Sequence, residues 1–262
     1  MEKSEEGEAM TRIITITNQK GGVGKTTTAI HLAHGLALAG KRVLLVDLDA
    51  QAQAGIAMHI PPADGAFFLL TMGLDRGATE YIRAQMKEVR PGWRLLPASK
   101  RLAGVEPALP SPAVSWLAET LKRFERDFDY IVLDTAPTVN RLQVLAMWAA
   151  DWVIVPAAPE PLSANSIQKV VQTLTGLKKQ HHWQGGLFGI LPTMYRERVR
   201  EHAETLADYR HRFGEALVLP PIHLAARLAE SPAYGQTVFE RSPTDRAARE
   251  YSALVQAVLK AR

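Results

Sequence analysis

Residues 18–27 read Asn18-Gln19-Lys20-Gly21-Gly22-Val23-Gly24-Lys25-Thr26-Thr27, a glycine-rich loop between two regular elements. The β-branched run RIITIT (12–17) before it is typical of a buried strand. After it, apolar residues recur at helical spacing from Thr27 to Ala39, and Gly40 ends the pattern. Glycines let backbone N–H groups turn toward one point, and the helix N-terminus adds further donors. The stretch therefore predicts a phosphate-binding loop.

Two side chains of this loop predict its chemistry. Lys25 would place its charge between the β- and γ-phosphates of a nucleotide, and Thr26 would offer its hydroxyl to Mg²⁺. The loop departs from the pattern G-x-x-x-x-G-K-[ST], because Gln19 stands in the place of the first glycine and Lys20 adds a second lysine. The alternative is a glycine-rich turn that only caps a helix, which the strand-loop-helix context disfavours.

Short apolar runs alternate with longer helical patterns along the rest of the chain. The strand candidates are 43–46, 93–96, 130–133, 152–155, 187–191 and 216–219, and the helical stretches lie near 112–126, 140–149, 163–181, 197–212 and 244–260. This alternation implies crossover connections, and hence an α/β fold with a mainly parallel twisted sheet and helices on both faces. With the phosphate-binding loop at 18–27, we expect this fold to be of the P-loop NTPase type. The proline- and glycine-rich part from 61 to 110 is interpreted as an elaboration of the same domain. We expect one domain over 11–262, after an acidic, flexible N-terminal segment over 1–10.

Composition and charge exclude several classes of protein. The 262 residues are 47% hydrophobic and 22% charged, with a net charge of +4, which is ordinary for a globular protein. The absence of cysteine excludes disulfides, thiolate metal sites and Cys-ligated iron–sulfur clusters. The N-terminus is acidic, unlike a signal peptide, and no apolar run approaches the roughly 18–20 residues that span a bilayer. We therefore expect a cytoplasmic protein.

Carboxylates follow two of the predicted strands. VLLVDLD (43–49) ends in Asp47 and Asp49, and YIVLDTAP (130–137) contains Asp134. Open α/β sheets bind their ligands at the carboxyl ends of parallel strands, where these side chains would lie. Any one of them alone is equally well a helix cap or turn residue. All three behind a phosphate loop favour a nucleotide site.

With its extra lysine, the loop resembles the deviant Walker A motif, KGGxGKT, of the ParA/MinD family of P-loop ATPases. The resemblance covers about Arg12 to Ala261. VLLVDLDAQ is similar to the family's D-x-D-P-Q segment, with Ala50 in the place of proline, and ADWVIVPAAPEP (150–161) is similar to a later strand and loop. Arg227-Leu228-Ala229-Glu230-Ser231-Pro232 is similar to the R-L-S-E-A-P stretch of the ParA/Soj partition branch.

The resemblance implies a role for each site residue. Lys20 reaches the phosphates of the other subunit in an ATP-bound sandwich dimer, Asp49 positions the attacking water, and catalysis is assigned to Lys20, Lys25 and Asp49. Mg²⁺ is assigned to Thr26, Asp47 and Asp134. ATP contacts are assigned to Lys20, Gly21, Gly22, Val23, Gly24, Lys25, Thr26 and Thr27, and adenine contacts to Met194, Pro220 and Pro221.

DNA contact is assigned to Arg196, Arg198, Arg200 and Arg227. Glu197, Glu201 and Glu204 are interspersed with arginines in this part of the chain, so a solvated helix with pairs at i and i+4 is the alternative. The basic stretch 83–101 is a second candidate surface for DNA.

The implied function is a slow, switch-like Mg²⁺-dependent ATPase in plasmid or chromosome partition. Its ATP-bound homodimer binds double-stranded DNA without sequence preference, and a ParB-like centromere-binding protein stimulates the hydrolysis that releases it, so we expect association with the nucleoid. We expect no membrane partner, because the apolar stripe of the C-terminal helix has only Lys260 and Arg262 as basic neighbours. The alternatives are a positioning ATPase for a protein cargo, such as a carboxysome or chemoreceptor cluster, and a P-loop ligase resembling dethiobiotin synthetase.

Overall fold

A seven-stranded sheet forms the centre of the computed structural model, which describes residues 11–138, 140–160 and 162–261. The strands are β1 Arg12–Ile16, β2 Val43–Leu48, β3 Lys87–Arg90, β4 Trp93–Leu96, β5 Tyr130–Thr135, β6 Trp152–Ala157 and β7 Gly186–Pro192. Their order is β3-β4-β2-β5-β1-β6-β7, and every neighbouring pair is parallel except β3 with β4. The predicted mainly parallel sheet is confirmed. The acidic segment 1–10 and Arg262 lie outside the described residues.

Eleven α-helices in the described residues connect and cover the strands. They are α1 Lys25–Leu38, α2 Gln53–Ala57, α3 Gly65–Thr71, α4 Arg76–Gln85, α5 Trp116–Leu121, α6 Arg141–Ala149, α7 Ser163–His181, α8 Arg200–Phe213, α9 Ala226–Glu230, α10 Val238–Arg241 and α11 Arg246–Lys260. None of the helices in these ranges is long and apolar enough to cross a membrane.

Strand β2 shows how both faces of the sheet are buried. Val43 and Leu45 pack with α1 and α11 in one core cluster, whereas Leu44 and Val46 pack with α3 and α6 in another. Successive strand residues point to opposite faces, so a strand covered on both sides is apolar throughout. The helices therefore lie on both faces, as predicted.

The C-terminal helix belongs to this core. Leu254, Val255 and Val258 of α11 are buried in the same cluster as the residues of α1. A Cβ built on Gly35 of α1 would lie 2.5 Å from Cγ2 of Val255. The apolar stripe of α11 is thus used for packing within the chain.

The predicted strand at 216–219 is wrong. Residues 215–217 form a 3₁₀ turn, and only an isolated bridge joins Val218 to Ile190 of β7. Pro220 and Pro221 follow at once, and proline has no N–H group with which to extend a ladder. This segment therefore runs along the end of β7 without becoming a strand.

Two further elements differ from their prediction. The helical stretch near 112–126 consists of α5 followed by a 3₁₀ turn over 122–124. Such tighter 3₁₀ turns are common at the ends of α-helices. Strand β3 was not predicted, since only Val89 of its four residues is buried and no apolar alternation marks it. It pairs with β4 across a turn at Pro91 and Gly92, where Gly92 has a φ of 78°.

Candidate nucleotide site

The loop between β1 and α1 is held in a conformation that requires glycine at two positions. Gly22 and Gly24 have φ angles of 72° and 79°, in the left-handed region. Gly24 directly precedes α1, and its carbonyl accepts the first helical hydrogen bond from Thr28 N at 2.9 Å. The N–H groups at the start of α1 are thus left for a ligand, with the positive end of the helix dipole behind them.

Neighbouring strands fix the loop in place. Asn18 Nδ2 donates to the carbonyl oxygen of Pro156 at 2.8 Å, and Asn18 Oδ1 accepts from Lys20 N at 3.0 Å. Thr193 Oγ1 donates to the carbonyl oxygen of Val23 at 2.9 Å. These contacts come from the ends of β6 and β7, so the sheet positions the loop before any ligand binds.

Lys25 turns its ammonium back toward the loop. Its Nζ donates to the carbonyl oxygen of Lys20 at 2.9 Å, and the residue is buried. Burial lowers the pKa of Lys25, while the negative charges of Asp134 and Asp49 act in the opposite direction. The amine therefore lies where a phosphate group above the loop would meet it.

Asp47 and Asp134 are register partners on β2 and β5, and both are fully buried. Asp47 Oδ1 accepts from Asp49 N at 3.0 Å and its Oδ2 accepts from Ala54 N at 3.1 Å. Burial raises the pKa of Asp47 to about 7 despite these bonds, with the charge of Asp49 adding to the effect. Asp47 thus holds the turn that carries Asp49.

Neither carboxylate oxygen of Asp134 has a hydrogen-bond partner in the described part of the chain. Burial raises its pKa well above the ordinary value and the charge of Asp47 adds to this, while nearby Thr26 and Lys25 act in the opposite direction. A buried, unpartnered carboxylate beside a like charge is costly unless a cation joins it. Its chemistry fits Mg²⁺, which prefers oxygen ligands.

The donor set suits a magnesium ion shared with phosphates. No cluster of three or more acidic or histidine side chains able to hold a metal occurs in the residues the structure describes. Mg²⁺ is commonly held by one or two protein oxygens together with water and substrate phosphates. Asp134 and Thr26 meet that requirement, whereas both oxygens of Asp47 are occupied by backbone amides.

A cavity of about 480 Å³ opens above the loop, within the size range of small-molecule sites. It is lined by Gly22, Val23, Gly24, Lys25, Thr26, Thr27, Asp49, Gln51, Gln53, Pro137 and Met194. Sequence reasoning assigned no role to Gln51, Gln53 or Pro137. Of the residues expected to contact adenine, Met194 lines this cavity, whereas Pro220 and Pro221 do not.

A larger cavity of about 700 Å³ lies at the opposite edge of the sheet. It is lined by Thr11, Arg42, Asp129 and others, at the amino-terminal ends of β1 and β5. Open parallel sheets bind ligands at the carboxyl ends of their strands. The cavity above the glycine-rich loop is therefore the candidate functional site.

Lys20 points away from this cavity. Its ammonium forms an ion pair with Glu160 and lies 3.2 Å from Oγ of Ser163, at the start of α7. Sequence reasoning missed both partners, which lie three and six residues after the end of β6. The signal was a Glu and a Ser three residues apart at the beginning of a helix. Gly21 is exposed beside Lys20 and lies outside the cavity lining.

Three of the four arginines expected to contact DNA face one open groove of about 580 Å³. Arg196 and Arg198 come from the loop after β7, and Arg227 comes from α9. Arg200 does not line the groove and pairs with Glu204 at 2.7 Å. Sequence reasoning missed a further arginine of the groove, Arg246, which lies at the start of α11, far along the chain.

Three arginines of the basic stretch 83–101 form ion pairs with carboxylates. Arg83 pairs with Glu80 and Asp127, Arg90 with Glu240, and Arg101 with Asp64. Two arginines of the groove are paired in the same way, Arg227 with Glu230 and Arg246 with Glu197 and Glu250. Ion pairing therefore does not distinguish the two candidate surfaces.

Comparison with known proteins agrees with this geometry. A family model described as an AAA domain matches residues 11–184. The chain is similar to the chromosome-partitioning ATPase Soj of Thermus thermophilus, with 36% identity over 96% of both chains. It is also similar to the sporulation initiation inhibitor protein Soj of Bacillus subtilis, with 32% identity over 95% of this chain and 98% of the relative.

A solved structure shares the fold. The cobyrinic acid a,c-diamide synthase of Mycobacterium smegmatis, with bound ATP analogue and magnesium, superposes with a TM-score of 0.80. The two chains are 29% identical, and the match covers 95% of this chain and 94% of the synthase. That relative holds nucleotide and magnesium together, the combination that the loop and Asp134 suit here.

Proposed function

Because the chain belongs to the ParA/MinD family of P-loop ATPases, we propose that it is a Mg²⁺-dependent partition ATPase. In this proposal an ATP-bound homodimer binds double-stranded DNA without sequence preference, and hydrolysis releases it. The assignment of ATPase activity rests on one observation: Lys25, Asp49 and Asp134 lie close together at the carboxyl ends of β1, β2 and β5.

Each residue of the site has a defined task in this reaction. The free N–H groups at the start of α1 and the ammonium of Lys25 bind the triphosphate. Asp134 and Thr26 would hold Mg²⁺, which supplies positive charge to the phosphates when bound. Asp49 lines the cavity and its Oδ1 accepts from Gln51 N at 2.9 Å. That turn orients the carboxylate, which positions the attacking water.

Exposed apolar side chains support pairing of two copies through this face. Met194 in the cavity rim is 39% exposed, Ile56 of α2 is 53% exposed, and Leu162, next to the Lys20 partner Ser163, is 73% exposed. Large apolar side chains grouped on one surface are typical of an interface. A dimer through this face would bring Lys20 of each copy toward the phosphates of the other.

One short segment connects the nucleotide cavity to the arginine-lined groove. Thr193 bonds to the loop through Val23, Met194 lines the nucleotide cavity, and Tyr195 lines the groove. Met194 has a φ of 55°, an uncommon conformation for a residue with a side chain. In this proposal, ATP binding acts on the groove through this segment, and DNA binding therefore depends on ATP.

The finer parts of the proposal follow the relatives. The relative from Thermus thermophilus, a chromosome-partitioning ATPase at 36% identity, supports partition of a plasmid or chromosome. From the resemblance to the ParA/Soj branch, we propose a ParB-like protein as the stimulating partner and location on the nucleoid. A positioning ATPase for a protein cargo would use the same nucleotide site. The similarity to a cobyrinic acid a,c-diamide synthase keeps a small-molecule ligase as the second candidate, which predicts turnover without DNA.

The experiment is a DNA-binding titration of the full chain with ATP and Mg²⁺ over a range of salt concentrations. We expect an affinity that falls steeply as salt rises, and that drops in Arg198→Ala and Arg227→Ala. Arg200→Ala, which removes a charge outside the groove, is the matched control and should change affinity least. Failure to bind DNA with ATP at low salt would overturn the partition function and leave the ATPase assignment standing.

A further inference from the structure

The arginine groove is defined by Arg196, Arg198, Arg227 and Arg246, which all line the same open space. They come from the loop before α8, from α9 and from the start of α11. One parallel bridge joins the loop before α8 to the residues that precede α9: Tyr195 pairs with His223, and Leu224 N donates to the carbonyl oxygen of Tyr195 at 3.0 Å. The fold thus gathers four cations from three separate parts of the chain.

One carboxylate reaches into this groove. Glu197 Oε1 accepts a hydrogen bond from Arg246 Nη2 at 2.6 Å and lies 3.3 Å from His223 Nε2. The Glu197 side chain is 60% exposed, and Arg246 lowers its pKa. Glu197 is therefore an ionised, solvent-facing anion bound to a groove arginine.

Of the other carboxylates near the groove, Glu230 pairs with Arg227 three residues before it at 2.9 Å, and Asp245 and Glu250 have structural tasks. Asp245 caps α11, since its Oδ1 accepts from Ala247 N at 2.8 Å. Glu250 is mostly buried. Its carboxylate bonds to the backbone N–H and the ring of His223, and it also accepts a hydrogen bond from Arg246. Glu197 has no comparable task among the described contacts, because its side-chain contacts are to Arg246 and His223 alone.

We propose that Arg246 is a DNA-contacting residue of the arginine groove and that Glu197 occupies the position of a DNA phosphate on it. This inference rests on the proposed DNA binding. A carboxylate and a phosphate present the same charge and the same acceptor oxygens to a guanidinium. DNA must displace Glu197 to reach Arg246, and since exposed ion pairs are weak, that displacement reduces affinity without preventing binding. Glu197 thereby keeps the affinity of the groove for DNA low.

The test compares Glu197→Gln with Glu201→Gln in the full chain with ATP and Mg²⁺. Both variants remove one negative charge, but Glu201 does not line the groove. Binding of a mixed-sequence duplex is measured by fluorescence anisotropy at several salt concentrations. We expect Glu197→Gln to bind about two- to fivefold more tightly than the wild type. We also expect the slope of log affinity against log salt to steepen by about one. Glu201→Gln should match the wild type.

A second variant tests the pairing itself. Arg246→Gln should weaken DNA binding, and adding Glu197→Gln to it should restore nothing, because the arginine that Glu197 covers is gone. Equal affinities of Glu197→Gln and Glu201→Gln, with wild-type binding present, would overturn this inference alone. Absence of DNA binding in both the wild type and Glu197→Gln would overturn the proposed function with it.

Discussion

Asp47 and Asp134 lie side by side on neighbouring parallel strands, and neither is accessible to solvent. Two backbone N–H groups satisfy Asp47, whereas Asp134 has no hydrogen-bond partner among the described residues. A buried carboxylate next to another acid destabilises the fold whenever both are ionised. The pair is thus a local cost in stability at the point where a nucleotide–magnesium complex would bind.

Asp134→Asn should stabilise the chain measured without nucleotide, because it removes the unpartnered charge and keeps the side-chain shape. We expect the thermal midpoint to rise by several degrees at pH 8, since 1 kcal/mol shifts it by roughly 2–4 °C in a chain of this size. The stabilisation that Mg²⁺ and ATP give the wild type should be reduced in the variant. Asp208→Asn, at an exposed pair with Arg212, is the control and should change neither quantity.

The same carboxyl pair predicts a pH dependence. The pKa of Asp47 is about 7 in the folded chain against an ordinary 3.8. Between these values the unfolded chain has released the proton that the folded chain retains, so stability falls as pH rises from about 4 to about 7. The raised pKa of Asp134 acts in the same direction. The gain in midpoint of Asp134→Asn should therefore be larger at pH 8 than at pH 5, and an equal gain at both would contradict the burial argument.

Lys25→Ala should remove most nucleotide affinity. The ammonium lines the cavity and is the cation that would meet the phosphates there. A charge-assisted contact of this kind corresponds to roughly a 10- to 100-fold change in dissociation constant. Titration of a fluorescent ATP analogue measures the dissociation constant, and Lys41→Ala is the control for the loss of one positive charge. Unchanged affinity in Lys25→Ala would show that the nucleotide binds elsewhere.

Lys20→Ala should separate binding from hydrolysis. The Lys20 ammonium contacts Glu160 and Ser163 outside the cavity, so its loss leaves the phosphate contacts of the same chain in place. A cation supplied by a second copy acts on the transition state and is worth a roughly thousandfold or larger rate effect in related phosphoryl transfers. We expect near-normal analogue binding with hydrolysis reduced to background. A variant that hydrolyses ATP normally would remove Lys20 from the reaction.

Asp49→Ala should trap an ATP-bound dimer. Asp49 lines the cavity, where it is placed to position the water, while binding of the triphosphate depends on the loop and Lys25. Without hydrolysis the ATP-bound state persists, so light scattering in ATP and Mg²⁺ should report twice the mass of the chain. If the variant binds ATP and stays monomeric, the face-to-face dimer is contradicted.

Gly35→Ala should destabilise the packing of α1 against α11. A Cβ at Gly35 would lie 2.5 Å from Val255 Cγ2 and 3.3 Å from the Phe239 ring. Overpacking costs about 1–3 kcal/mol, which exceeds the gain of about 1 kcal/mol in helix propensity. Gly176→Ala in α7 is the matched control, because its Cβ would meet no atom within 4 Å and should stabilise the chain by about 0.5–1 kcal/mol. Chemical denaturation measures both.

Part of the nucleotide site was accessible from short-range sequence patterns. The strand, the glycine-rich loop and α1 are consecutive in the chain. Asp49 directly follows the apolar strand β2, and Asp134 lies near the end of the apolar strand β5. The prediction of a strand at 216–219 was wrong, although these residues are apolar. The prolines that follow have no N–H group to donate to a neighbouring strand, so no ladder forms there. Strand β3 was missed because it is a mostly exposed edge strand without alternation.

Sequence alone determined the sheet type, the position of the phosphate loop and the acids at the strand ends, because side-chain periodicity and the conformational preference of glycine are local properties of the chain. Only the tertiary structure decided that Glu160 and Ser163 hold Lys20, that Asp47 has two hydrogen-bond partners whereas Asp134 has none among the described residues, and that Glu197 lies on Arg246. These pairings depend on strand order and on how helices pack over the sheet. Charges and dipoles act through space, whatever the distance between residues along the chain.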